Sequence, residues 1–204
     1  TGSLLWRKNE GEQIMYVLGI CGSPRRQGNS ELLLDMFLKH VEKGEIKTNK
    51  FILNQMRFVA CQECENVRND GRCKIEDDMQ KIYTEVENAD VIVVASPIFF
   101  GSLSAQTKMM IDRFQCQYLA INFFKTYKPK EKKGYFFCVE ASERNDFIEN
   151  AKSIIKNFFV TIGARYSGEI ICKGVDEKGE VKERKECLEK VKEISENLVK
   201  KWKI

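Results

Sequence analysis

The stretch YVLGICGSPRRQGNS, residues 16–30, begins as an apolar run and turns through small and basic residues into a segment with helical spacing. Beyond it, Leu33, Met36, Phe37 and Val41 recur on one helical face. The unit is strand, loop, helix. Its recurrence along the chain decides the fold, because parallel strands are joined by crossovers of this kind.

Downstream the unit does recur. Residues 50–53 read as a short second strand, followed at 56–74 by a polar, cysteine-bearing excursion without a period. A helix starting near Glu76 carries Met79, Ile82, Tyr83 and Val86 on one face. Residues 89–95 include Val91-Ile-Val-Val-Ala95, an apolar run whose first four members are β-branched, which suits a strand covered on both faces. A third helix is expected from Ser102 or Ser104 to about Phe114, a fourth strand at 135–141 and a fourth helix at 145–161. A fifth strand at 165–172 precedes a last helix at 181–202, with Leu188, Val191, Ile194 and Leu198 in one stripe. Strands alternating with helices in this way predict an α/β fold, a doubly wound, five-stranded parallel sheet with right-handed crossovers.

Residues 15–204 are expected to form one domain, and residues 1–14 read as an expression remnant or disordered leader, with Met15 the natural start. At 43% hydrophobic and 31% charged, the 204-residue chain has the balance of a globular protein and not of a disordered one. Its longest near-apolar stretch, 91–100, is broken by Ser96 and Pro97 and falls short of the roughly 20 residues that span a bilayer, so no membrane association is expected. Net charge is +4 with both signs mixed along the chain, which is no nucleic-acid stripe. The single histidine, His40, excludes a multi-histidine metal site and reads as a helix-end residue. Eight cysteines without a signal peptide fit a reducing cytoplasm, with thiols or metal ligands rather than a disulfide framework.

Ligands of such sheets bind beyond the carboxyl ends of the strands, so the loops after Ile20, Ala95 and Ala141 are the places to look. The first, Gly22-Ser-Pro-Arg-Arg-Gln-Gly-Asn-Ser30, is neither a dinucleotide fingerprint nor a Walker loop. It offers hydroxyls at Ser23 and Ser30, an amide at Asn29, basic Arg25 and Arg26, and a helix N-terminus, a set that suits a monophosphate. Asn29 or Ser30 as a plain N-cap is the simpler alternative. In the second, Ser96-Pro-Ile-Phe-Phe-Gly101, Pro97 orders the chain and Gly101 permits positive φ or close approach to a flat ligand. Phe99 and Phe100 cannot both be buried if they alternate at a strand end; ordinary core aromatics are the alternative reading.

GSPRRQGNS (22–30) and SPIFFGSLSAQTKMMIDR (96–113) resemble the phosphate loop and the flavin-ring loop of the NADPH-dependent FMN reductase and iron-sulfur flavoprotein families. The similarity continues through the cysteine loop, Asp77-Asp78-Met79 and Lys178-Gly-Glu180. The resemblance implies a flavodoxin-like fold of strand order 2-1-3-4-5 and FMN as cofactor, with Ser23, Pro24, Arg25, Gln27, Asn29 and Ser30 around its phosphate. It places Pro97, Ile98, Phe99, Phe100 and Gly101 against the isoalloxazine, and Ala141 and Ser142 on its far side, in a loop that reads Glu140-Ala-Ser-Glu-Arg144 where relatives are often glycine-rich. It further implies NAD(P)H as co-substrate, a small acceptor such as a quinone, flavin or metal ion, chemistry carried by the flavin and not by a catalytic side chain, and a homodimer or homotetramer.

The run Cys61-Gln-Glu-Cys64, ending at Cys73, resembles the cluster-ligand run of iron-sulfur flavoproteins in spacing, but Val67 stands at the third cysteine place and has no donor atom. A [4Fe–4S] cluster ordinarily takes four thiolates, so free thiols are expected here, with Cys61, Cys64 and Cys73 the ligands if a cluster is held. Cys21, Cys116, Cys138 and Cys172 read as small buried residues. Three rivals to the reductase remain: a flavodoxin-like electron carrier, disfavoured by the sequence pI near 8.5, an iron-sulfur flavoprotein fed by a protein donor, and a redox sensor with a vestigial pocket.

Overall fold

The computed structural model describes residues 14–42, 46–64 and 68–202. Strands β1 (Tyr16–Cys21), β2 (Lys47–Ile52), β3 (Val91–Phe99), β4 (Ser102–Leu103), β5 (Lys132–Val139) and β6 (Ala164–Cys172) alternate with helices α1 (Asn29–Glu42), α2 (Met79–Asn88), α3 (Ala105–Asp112), α4 (Gln115–Leu119), α5 (Asn145–Thr161) and α6 (Lys185–Trp202). Five strands run parallel in the order β2-β1-β3-β5-β6. That is the expected order, with β5 and β6 as the fourth and fifth strands; β4 only pairs antiparallel with the end of β3. The direction of growth reverses between β1 and β3, which makes the crevice beyond their carboxyl ends the switch point.

Side chains of β1 and β3 alternate into two cores, which is why both strands are apolar throughout. Val17, Val91 and Val93 meet Leu33, Phe37 and Val41 of α1 on one face. Leu18, Ile20, Ile92 and Val94 meet Met79 and Ile82 of α2 and Ile155 and Phe159 of α5 on the other.

Several boundaries differ from expectation. β2 starts at Lys47, with polar outward positions that hide its period. Ser104 is the N-cap of α3, its Oγ accepting from Thr107 N, and the expected helical start at Ser102 is strand instead. Residues 180–183 form a separate 3-10 turn ahead of α6. α4 and the π-turn Ala120–Phe124 carry no amphipathic period and were not foreseen. Of the expected leader, residues 1–13 lie outside the described residues, as does Val67.

The expectation of thiols or metal ligands in place of disulfides needs one correction. Cys172 and Cys187 form a disulfide between the end of β6 and the first turn of α6, with Cα atoms 6.0 Å apart. The chain leaves the sheet and returns within 15 residues, a tertiary closure that cysteine counting does not reveal. Cys21, Cys116 and Cys138 are buried as expected. No helix among the described residues is long and apolar enough to cross a membrane. His40 sits in the last turn of α1, its Nδ1 2.7 Å from Met36 O.

Candidate functional site

The first two loops are built as one body. Gly22 N donates to Ala95 O at 2.8 Å across the ends of β1 and β3. Beneath lie the buried hydroxyls of Ser96, Ser104 and Thr107. Ser104 Oγ donates to Gly22 O at 2.6 Å and Thr107 Oγ1 to Ser96 Oγ at 3.1 Å. A Cβ on residue 22 would stand 1.7 Å from Thr107 Oγ1, so only glycine lets the loop approach α3 this closely.

On this base a cleft opens. Ser23, Arg25, Asn29 and Ser30 line it from the first loop, Pro97, Ile98 and Phe99 from the second, and Ala141 from the loop after β5. Five expected positions stand away from it. Gln27, at φ 52°, donates its N–H to Glu31 Oε2 at 2.6 Å within its own loop. Pro24 O accepts from Asn54 Nδ2 at 3.2 Å. Ser142 turns back, its Oγ donating to Glu140 Oε1 at 2.6 Å.

Phe100 and Gly101 are the other two, and they form the tip of a hairpin. Ile98 and Phe99 pair with Leu103 and Ser102, while Phe100 (φ 51°) and Gly101 (φ 76°) make the two-residue turn, both in the left-handed region that such turns demand. For a phenylalanine that conformation costs about 1–2 kcal/mol. Phe100 is fully exposed and Phe99 half-exposed, so an unburied aromatic surface stands at the mouth of the cleft.

Asn29 lines the cleft, but its amide is committed elsewhere. Its Nδ2 donates to Glu177 O at 2.8 Å, and its Oδ1 accepts from Gly179 N and Val181 N. It anchors the 176–181 turn, against which Arg25 Nη1 also bonds, to Asp176 O at 2.9 Å. Val139, Val175 and Asp176 complete the lining and were missed in the sequence. Nothing local marks 175–176 as part of a site; only the return of the chain after β6 brings the turn there. Glu140, between two cleft residues, is buried with its Oε2 unpartnered.

A second cavity lies by the cysteine loop. Cys61, Cys64 and Cys73 line it together, and so does Cys116 from α4. Arg113, 1% exposed, spans its wall. Arg113 Nη1 donates to Asp77 Oδ2 at 2.6 Å and to Val59 O at 2.8 Å, while Nη2 reaches Cys73 Sγ at 3.4 Å. Burial alone would raise the Asp77 carboxyl, but the bonds from Arg113 and from the Met79 and Val59 amides outweigh it and hold the group below its ordinary range. Burial pushes the Cys21 and Cys116 thiols up to about 11 and Cys138 higher still. None of these three is a ready nucleophile at neutral pH. Among the described residues, no group of three or more His, Cys, Asp or Glu could hold a metal ion.

The family model described as NADPH-dependent FMN reductase matches residues 15–165. An iron-sulfur flavoprotein of Methanocaldococcus jannaschii is 36% identical over 146 residues, 72% of each chain. One of Methanosarcina thermophila is 33% identical over 99 residues, 48% of this chain and 52% of that one, so the match spans about half of that relative. Among solved structures, an NAD(P)H:quinone oxidoreductase from Methanothermobacter marburgensis superposes with a TM-score of 0.72 at 18% identity, covering 91% of this chain and 96% of its own. An FMN-dependent NADH-azoreductase from Bacillus anthracis in complex with FMN gives 0.64 at 13% identity, covering 91% and 100%. These two likenesses show the flavodoxin-like fold.

Proposed function

The chain belongs to the NADPH-dependent FMN reductase family, and from that premise we propose that it binds FMN across the cleft and passes electrons from NAD(P)H to a small acceptor such as a quinone, a flavin or a metal ion. The observation that carries the reading is the convergence of the 22–30 loop and the Phe99–Phe100 hairpin on one cleft at the switch point. The cleft encloses about 60 Å³, well short of the roughly 300–1,000 Å³ of a site that swallows a ligand whole. It therefore suits a phosphate and the chain behind it, while a flat ring lies out over the hairpin. Bound there, FMN supplies the hydride and electron chemistry that no side chain of this protein offers.

The protein's own part is position and polarity. The first-turn amides of α1 have no intrahelical partner and carry the positive end of the helix dipole toward an anion. Ser23 Oγ accepts from Arg25 N at 3.2 Å and donates to Arg25 O at a long 3.3 Å; its proton is readily redirected to a phosphate oxygen. Ser30 is buried beside it, and Arg25 adds charge above. Ser23→Ala removes a bond to a charged oxygen worth about 1.5–3 kcal/mol, so the FMN Kd is expected to rise roughly ten- to a hundredfold. Fluorescence titration of the apoprotein checks it, and an unchanged Kd moves the phosphate elsewhere.

No dinucleotide fingerprint exists in the chain to hold a nicotinamide in a second pocket. Donor and acceptor then use the same aromatic-walled face in turn. Steady-state turnover with NADPH is expected to give parallel double-reciprocal lines, whereas intersecting lines require a ternary complex and another site. The exposed Phe100 would be covered in a homodimer or homotetramer, which we include in the proposal.

A second reading has a specific observation behind it. Relatives named iron-sulfur flavoproteins and the four-cysteine cavity favour electrons delivered by a protein donor. Anaerobic NADPH that fails to bleach the flavin absorbance would select that reading.

A further inference from the structure

We propose that the Cys172–Cys187 disulfide is a reversible redox site, opened by a dithiol that attacks Cys187, and that its state sets how firmly one wall of the flavin cleft is held. The effect on FMN rests on the proposed function; the redox site itself does not.

The bond joins the last residue of β6 to the first turn of α6 and closes the intervening segment at its base. What the segment carries makes that closure matter. Val175 and Asp176 are part of the cleft wall. Asp176 O accepts from Arg25 Nη1 at 2.9 Å and Glu177 O from Asn29 Nδ2 at 2.8 Å, while Gly179 N donates to Asn29 Oδ1 at 2.9 Å. Val175 N donates to Glu140 O at 3.0 Å, which ties the same segment to the end of β5. The chain between the two cysteines therefore grips the 22–30 loop and lines the cleft beside it. Its regular structure is one 3-10 turn, Glu180–Glu183, before α6 begins. A cross-link across the ends of such a segment removes open conformations from its ensemble. Breaking the link restores them, as local opening in which the bonds to Arg25 and Asn29 are unmade.

The two sulfurs are unequally reachable. Cys172 is 1% exposed within the core, whereas Cys187, though largely buried, forms part of the wall of an open cleft of about 660 Å³. That cleft has room for a dithiol. Cys187 stands in the first turn of α6, where unpaired amides and the positive end of the helix dipole stabilise a thiolate. Lys173, Arg184, Lys185 and Lys190 line the same cleft against three glutamates, so an arriving thiolate meets a wall of net positive charge. One thiolate of the dithiol attacks Cys187 Sγ; the S–S bond breaks, a mixed disulfide forms, and Cys172 leaves and takes up a proton. The second thiolate of the dithiol then displaces Cys187, which the helix terminus makes the better leaving group. Two electrons and two protons pass to the cysteine pair, and the dithiol becomes a disulfide.

The test uses the whole folded chain, with and without dithiothreitol, alkylated and digested for peptide mass spectrometry. Residues 172 and 187 are expected to be joined before treatment and both alkylated after it. Titration of the apoprotein with FMN is expected to give a Kd about three- to tenfold higher in the reduced form, as a segment closed for only that fraction of the time requires. Reoxidation with diamide is expected to restore the lower value. Cys187→Ser is expected to show the reduced-form Kd with or without dithiothreitol. Trypsin supplies a readout independent of flavin: Lys178 and Lys182 are exposed within the segment, and cleavage there is expected to be faster in the reduced parent and in Cys187→Ser. A pair found as free thiols after purification in air, or a bond that opens only in denaturant, would overturn the proposal. So would a cleavage rate unchanged by reduction or, where FMN binds, an unchanged Kd. No FMN binding in either state, with the difference in cleavage intact, would overturn the flavin reading and leave the redox site standing.

Discussion

Gly22→Ala is expected to be among the most damaging single-atom additions the chain can suffer. The new methyl would lie 1.7 Å from Thr107 Oγ1 and 3.1 Å from Ser104 Oγ. Neither hydroxyl is free to retreat. Ser104 Oγ is bonded to Gly22 O, and Thr107 Oγ1 to Ser96, all of them buried. Overpacking of this kind typically costs about 1–3 kcal/mol and occasionally more; with polar partners also torn apart, the upper end is expected. The 22–30 loop must lift from α3, so FMN affinity falls with stability, by tenfold or more at about 1.4 kcal/mol per decade. Adding Thr107→Ala removes the atom that is struck. The double variant is therefore expected to recover much of the lost stability, a coupling that a thermodynamic cycle measures. If Gly22→Ala melted and bound FMN like the parent, the close approach of loop and helix would be wrong.

Arg113→Met is expected to cost about 3–5 kcal/mol, because it leaves the Asp77 carboxylate without its partner in a largely buried setting. Such a loss is a third or more of a typical domain's stability and shifts Tm by on the order of 10 °C. Arg113→Lys does not restore it, since an ammonium cannot reach Asp77, Val59 O and Ile75 O from one planar fork. The pair also sets an acid limit. Asp77 is held below its ordinary range in the folded protein, so its contribution is complete above the unfolded carboxyl value of about 3.9. That contribution is lost as pH falls through the lower folded value. The parent is expected to lose stability below about pH 4 through this group, and Arg113→Met to lack that component. A Tm within a degree or two of the parent would show the pair to be ornamental.

The fold was legible because the two-sided burial of β1 and β3 leaves unbroken apolar runs in the sequence, and the α1 and α6 stripes recur at helical spacing. Of the cleft, the parts contributed by contiguous segments were partly legible: Ser23, Arg25, Asn29 and Ser30 of the first loop and Pro97, Ile98 and Phe99 of the second line it, while Pro24 and Gln27 of the first loop do not. The illegible parts depend on the return of the chain. Asn29 reads as a phosphate ligand in sequence, and only the 177–181 turn, nearly 150 residues away, reveals that its amide is already bonded. Phe100 reads as a ring contact, but the hairpin with Ser102 places it at an exposed tip. Cys172 reads as an inert core thiol because Cys187, to which it is bonded, lies on another element.

The central claim is a flavin mononucleotide at the β1–β3 switch point. The direct measurement is to denature the purified protein, separate the released cofactor by chromatography and quantify it per chain, repeating after reconstitution of the apoprotein. One FMN per chain, with weakened retention in Ser23→Ala, is the predicted result. FAD as the released species, or no flavin retained after reconstitution, would contradict it.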